Sequence, residues 1–179
     1  MNSKKHILKW EIAGIVFVFL VGALLHFIFE WSGENRIVGA VASVNESVWE
    51  HFKQGFWPMC LWAAIEYRAL RAYTGNYLLA KGIAVWVLPV ITGLAFYAYT
   101  AVTGKEMLPV DIAIFAAATA IAQYISYRIM SAKALSMRYG NLLGLAAIIA
   151  LGVILILTTY YPPHMPMFLD ENTGNYGIP

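Results

Sequence analysis

Five long apolar runs, at about residues 10–30, 52–70, 80–103, 108–129 and 141–161, dominate the chain. Each is long enough to cross about 30 Å of hydrocarbon at a helical rise of about 1.5 Å per residue. Within a bilayer a helix satisfies every backbone N–H and C=O inside one segment, so runs of this length call for a bundle of membrane helices. Composition agrees: 60% of the 179 residues are hydrophobic and 12% are charged, roughly half the charged fraction of a soluble domain. The expected fold is all-α, a single polytopic membrane domain over 1–179. It has five transmembrane helices, a short interfacial helix at about 43–53 and a C-terminal tail at 162–179.

Several classes of function fall away at once. A net charge of +2 leaves no nucleic-acid footprint. The single cysteine, Cys60, excludes a disulfide framework and a four-thiolate zinc site. Lying in an apolar run, its thiol is expected to stay protonated and inert. No Gly-x-Ser-x-Gly elbow or phosphate-cradling glycine loop is present. The basic start, Lys4-Lys5-His6, precedes an apolar run too long for a signal peptide and without a small-x-small cleavage site, so the first run reads as a retained span.

Basic residues near span ends concentrate on the cytoplasmic face. With the N-terminus inside, Lys4, Lys5, Lys9, Arg68, Arg71, Lys81, Arg128, Lys133 and Arg138 fall inside, and only Arg36, Lys53 and Lys105 fall outside. Five spans in a plasma membrane, N-terminus cytoplasmic and C-terminus extracytoplasmic, follow from that bias. The carboxylates Glu30, Glu34, Glu46, Glu50, Glu106, Asp111, Asp170 and Glu171 gather at the outer face, and so do His26, His51 and His164.

His26 and Glu30 are four apart on one face of the first span, with Gly22 a turn deeper on the same face, so His26 is expected to face the bundle. An ionisable side chain at that depth needs a partner, a water-filled cavity or a metal. In the segment 43–53, Ser43-x-x-Glu46 and Ser47-x-x-Glu50 both match a capping box, and at most one can begin a helix. One of the two glutamates therefore has a structural role, and the other could pair with Lys53 or face solvent. Helical periodicity puts His51 on the apolar side of this segment. The tail, rich in proline up to Pro166 and in turn formers from Asp170 to Gly177, also carries Phe168, Leu169 and Tyr176. It is expected to fold back over the outer mouth and bring His164 near the other histidines.

His26, Glu30, Glu46, His51 and His164 are thus the expected metal ligands, with Glu50 as a catalytic base or further ligand and Asp170 as a weaker member. Imidazoles with carboxylates suit zinc, or iron or manganese where positions stay open. Two intramembrane polar residues stand apart from them. Glu66 lies about 24 Å along a continuous helix from Glu50 and is expected to pair with a basic residue such as Arg128. The alternative is a proton or cation relay that includes Gln123.

The string Asn45-Glu46-Ser47-Val48-Trp49-Glu50-His51-Phe52-Lys53, with His26 and Glu30 before it and Phe168-Leu169-Asp170 and Thr173-Gly174-Asn175-Tyr176-Gly177 after it, resembles a family of small prokaryotic integral membrane proteins of unknown function. The resemblance spans the chain and implies no activity. The residues themselves point first to a metal-dependent membrane hydrolase acting on a lipid or another membrane-delivered substrate. A small cation- or proton-coupled transporter or channel is the alternative. A non-catalytic membrane partner of a larger complex is the third reading. The lipid bilayer is the one partner implied, and nucleic acid is not.

Overall fold

A computed structural model describes residues 3–133 and 139–178. Arg138, one of the basic residues used to orient the chain, lies outside the described residues. Five α-helices follow one another: α1 (Ser3–Trp31), α2 (Val48–Leu70), α3 (Tyr77–Thr103), α4 (Leu108–Met130) and α5 (Gly140–Tyr160). Two single 3₁₀ turns, Val38–Ala40 and Pro166–Phe168, complete the regular structure, and no sheet occurs among the described residues.

α1, α3, α4 and α5 are each long and apolar enough to cross a membrane. α1 shows how such a helix divides its surface. Ile7, Glu11, Gly14, Val18, Gly22, Leu25 and Phe29 are buried in the bundle at steps of three or four. Leu8, Ile12, Val16, Leu20 and Leu24 form an exposed apolar stripe on another side. A stripe of that kind, uncovered by protein, belongs against lipid rather than water. α2 is the exception. It carries Glu50, Lys53, Glu66 and Arg68 along 23 residues and is held between α1 and α3.

α1, α2, α3 and α4 form a closed ring, each packed on the next and α4 returning to α1, while α5 packs on the outside of α3. The ring encloses Val18, Phe56, Met59, Trp62, Leu88 and Ala122. α5 approaches α3 through glycine: a Cβ on Gly82 would lie 2.4 Å from the Gly144 carbonyl oxygen, and one on Gly144 would lie 2.1 Å from that of Leu78. Only hydrogen fits between these backbones.

The separate interfacial helix expected over 43–53 does not form. Residues 43–47 are non-helical, and α2 begins at Val48 and runs unbroken to Leu70. The reason is the choice between the two capping boxes. Ser47 is the N-cap, its hydroxyl accepting from the Glu50 N–H at 3.3 Å. Ser43 instead donates to the Glu50 carbonyl at 3.0 Å.

Two of the lysines that orient the chain are wholly buried, Lys53 and Lys81, both 0% exposed. Lys53 donates to the carbonyls of Gly39 and Ala42 and pairs with Glu50, which ties the 32–47 connection to the start of α2. The tail closes over the same end. Ile178 N–H donates to the Thr159 carbonyl, the Asn45 amide donates to the Gly177 carbonyl, and Phe168 packs on Trp49.

Candidate metal centre

α1 and α2 are adjacent in the ring, and each brings one imidazole to the end where the 32–47 connection and the tail lie. His26 comes from the last third of α1 and His51 from the first turn of α2. Glu46 comes from the turn before α2, free because Ser47, not Ser43, starts the helix. Their ligand atoms all lie within 4.8 Å of one another. His26 Nε2 is 3.6 Å from Glu46 Oε1, and His51 Nε2 is 3.5 Å from Glu46 Oε2. The two rings are 5.4 Å apart, tilted by 32°.

These N···O separations exceed the usual hydrogen-bond range of about 2.7–3.2 Å. They lie close to the edge of a tetrahedron around zinc, about 3.4 Å for bonds of about 2.1 Å. The three side chains are partly open, at 29% for His26, 33% for His51 and 48% for Glu46. A ligand set of this size with an open side leaves room for water or substrate.

The second nitrogen of each ring fixes what the first can do. His51 Nδ1 is 2.8 Å from the Ser47 carbonyl, which can only accept, so Nδ1 carries hydrogen. In the neutral ring Nε2 then aims a lone pair at the Glu46 carboxylate. Two acceptors so placed need a cation between them, a proton or a metal ion. A histidine held through Nδ1–H by a carbonyl is a common arrangement for a metal ligand.

His26 differs. Its Nδ1 is 3.0 Å from Gln54 Nε2, which also donates to Ser43 Oγ at 3.2 Å. As arranged, Nδ1 accepts, and Nε2 presents its hydrogen to Glu46. Turning the Gln54 amide over would let its oxygen accept from Nδ1–H, at the expense of its bond to Ser43 Oγ, and would free Nε2 for a metal. Glu46 has the charge the site requires: the His51 imidazole facing it lowers its carboxyl below the ordinary carboxylate value, against the opposing effect of partial burial.

Other expected site residues lie elsewhere. Glu50 is buried and fully engaged: Oε2 pairs with Lys53 and accepts from Val44 N–H at 3.1 Å, and Oε1 accepts from Thr159 Oγ1 at 2.9 Å. It braces α2, the 32–47 connection and α5, with no oxygen left to act as a base. Glu30 is exposed and is not in the group. His164 is exposed and stacks on Tyr176 at 4.7 Å, within the tail. Asp170 is buried and accepts from Asn172 N–H and Thr173 Oγ1, closing the tail's turn.

Glu66 pairs with a basic residue, but the residue is Lys81; Arg128 instead donates to the Tyr124 hydroxyl. Gln123 belongs to the same cluster, its Oε1 being 3.4 Å from Lys81 Nζ. Sequence reasoning passed over Gln54, a polar residue three positions after His51, and Glu11, a carboxylate inside the first apolar run.

Over residues 1–178 the chain matches a family described as Family of unknown function (DUF6512). The protein belongs to that family. No curated protein and no solved structure matches it. The family carries no activity to transfer, so the functional reading rests on the site itself.

Proposed function

We propose that the protein is a metal-binding membrane protein in which His26, Glu46 and His51 hold one divalent transition-metal ion. Zinc suits the set best, and iron or manganese would suit it with more open positions. The observation that carries this reading is the paired separation of 3.6 and 3.5 Å between the two imidazoles and opposite oxygens of one carboxylate. The His51 ring, oriented by the Ser47 carbonyl, supports it.

In this reading the site end of the bundle lies outside the plasma membrane, which the bias of the basic residues supports. With the two buried lysines removed from the count, the bias is still eight inside, Arg138 included, against Arg36 and Lys105 outside. An ion with an open position at headgroup depth would carry water and lower its pKa to about 7. That chemistry suits hydrolysis of a lipid or another membrane-delivered substrate. Glu50 being engaged, the nucleophile in this reading is metal-bound water with Glu46 as the adjacent carboxylate.

Elemental analysis of detergent-purified protein tests the proposal. Wild type is expected to carry one equivalent of zinc, iron or manganese that the His26→Ala/His51→Ala double variant lacks. Equal metal content in the two proteins would refute it.

A further inference from the structure

A second polar cluster lies inside the helix ring, at the opposite end of the long α1–α2 contact. Glu11 precedes His26 by fifteen residues on α1, and Glu66 follows His51 by fifteen on α2. In antiparallel helices this puts the two clusters about 22 Å apart. Each helix of the ring contributes to the inner one: Glu11 from α1, Glu66 from α2, Lys81 and Tyr77 from α3, Gln123 and Ser126 from α4. All six are between 0% and 4% exposed.

The three ammonium hydrogens of Lys81 are all engaged. Nζ lies 2.8 Å from Glu11 Oε1, in contact with Glu66 Oε1, and 3.4 Å from Gln123 Oε1. Three acceptors match the three hydrogens of an ammonium group. Two carboxylates therefore face one cation, and the neighbouring groups, Tyr77, Ser126 and Gln123, are neutral. The ring of Tyr67 stacks edge-on against Tyr77 and adds no charge.

If both acids were ionised, the cluster would hold one uncompensated negative charge in an apolar bundle, an expensive state. The hydrogen bonding shows where the imbalance sits. Glu11 Oε1 accepts from Lys81 and from Ser126 Oγ, and Glu66 Oε1 accepts from Lys81 and is 3.1 Å from the Tyr77 hydroxyl. Glu11 Oε2 and Glu66 Oε2 are buried without a partner. A bare carboxylate oxygen with no donor is costly, and a proton on one of them neutralises the cluster.

We propose that Glu11 and Glu66 share one dissociable proton, so that the Glu11–Lys81–Glu66 cluster is a proton-binding site within the helix ring. Uptake converts one carboxylate to a carboxylic acid and leaves Lys81 charged and paired with the other. Ile7, Leu70 and Met130 pack as an apolar plug between the cluster and the near end of the bundle. Exchange with water therefore requires that plug to part, and the site holds its proton when closed.

Infrared spectroscopy of the full chain in liposomes, at neutral pH in light and heavy water, tests the proposal. A protonated carboxyl stretch with the isotope shift of an exchangeable acid is expected in wild type. Glu11→Gln and Glu66→Gln should each abolish it, because each leaves one acid paired with one lysine. Absence of the band in wild type, or its survival in either folded variant, would overturn the proposal. So would a band present only when sodium is left out of the buffer, since the ligand would then be a metal cation. Should the variants not fold, detergent unfolding of wild type at pH 8 still decides: the cluster is expected to release one proton as its acids reach water, and no release would overturn the proposal.

Discussion

Glu46 and His51 meet with Oε2 3.5 Å from Nε2, while the other nitrogen of His51 is fixed on the Ser47 carbonyl at 2.8 Å. The contact is too long for a good hydrogen bond. The Ser47 cap underlies it, because the residue that starts α2 also supplies the carbonyl that orients the ring.

Gln54 governs whether His26 can join. Replacing it by leucine leaves Nδ1 of His26 without its polar partner, and metal affinity should fall about 10–100-fold, the usual effect of losing such support. Gln54→Glu, which can accept from Nδ1–H without turning over, should bind at least as tightly as wild type. Competition against a chromophoric chelator measures both, and wild-type affinity in Gln54→Leu would contradict the role.

Metal occupancy should fall as pH drops, because both imidazoles must be neutral to ligate, and His51 should protonate first: burial lowers its ring, but Glu46 and the Ser47 carbonyl hold it above the ordinary histidine value. Glu46 does not itself titrate there: the His51 imidazole lowers its carboxyl, which stays ionised as the imidazoles take up protons. The sign for folding follows. Its stabilising contact with the histidines is present above the ordinary glutamate value of about 4.3 and lost as pH falls through the lower folded value. A pH titration of bound metal in wild type and Glu46→Gln checks this. Weaker binding is expected, with the midpoint moved to lower pH because His51 loses the carboxylate that raises it.

Lys53→Met should destabilise the fold by about 3–5 kcal/mol, because it strands the buried Glu50 carboxylate and frees the Gly39 and Ala42 carbonyls. Adding Glu50→Leu should restore part of the loss. Thermal unfolding in detergent reads both variants. If Lys53→Met melts with wild type, the brace is not structural.

Gly144→Val forces a side chain onto the Leu78 carbonyl, where even a Cβ would be 2.1 Å away. Moving α5 off α3 should cost about 1–3 kcal/mol or more, as overpacking of a close contact does. The metal site, built from α1, α2 and the turn between them, should keep its affinity. Loss of metal binding at unchanged stability would contradict that separation.

The five helices were legible because apolar runs of about 20 residues leave few other solutions. The pairing of His26 with His51 could be sought because both residues fall near the same ends of adjacent runs. What the pattern could not settle was which serine would cap α2, and that choice decides the fates of Glu46 and Glu50. Glu46 was left to face imidazoles, and Glu50 was drawn into the interior with Lys53, a pairing three residues apart that looks from sequence like an exposed helix pair. The burial of Lys81 is hidden from the sequence for a related reason. A lysine one turn inside a helix normally reaches for headgroups, and nothing local shows that Glu11 and Glu66, 70 and 15 positions earlier, would hold it in the core. His164 was separated from the other histidines by a tail that pairs with itself, Leu169 against Tyr176.

X-ray absorption at the zinc edge, on detergent-purified protein loaded with one equivalent of zinc, tests the central claim most directly. The account predicts a nitrogen and oxygen shell at about 2.0–2.1 Å with the outer-shell signature of two imidazoles, reduced to one in His51→Ala. A zinc shell with no imidazole signature, or one unchanged by His51→Ala, would contradict it.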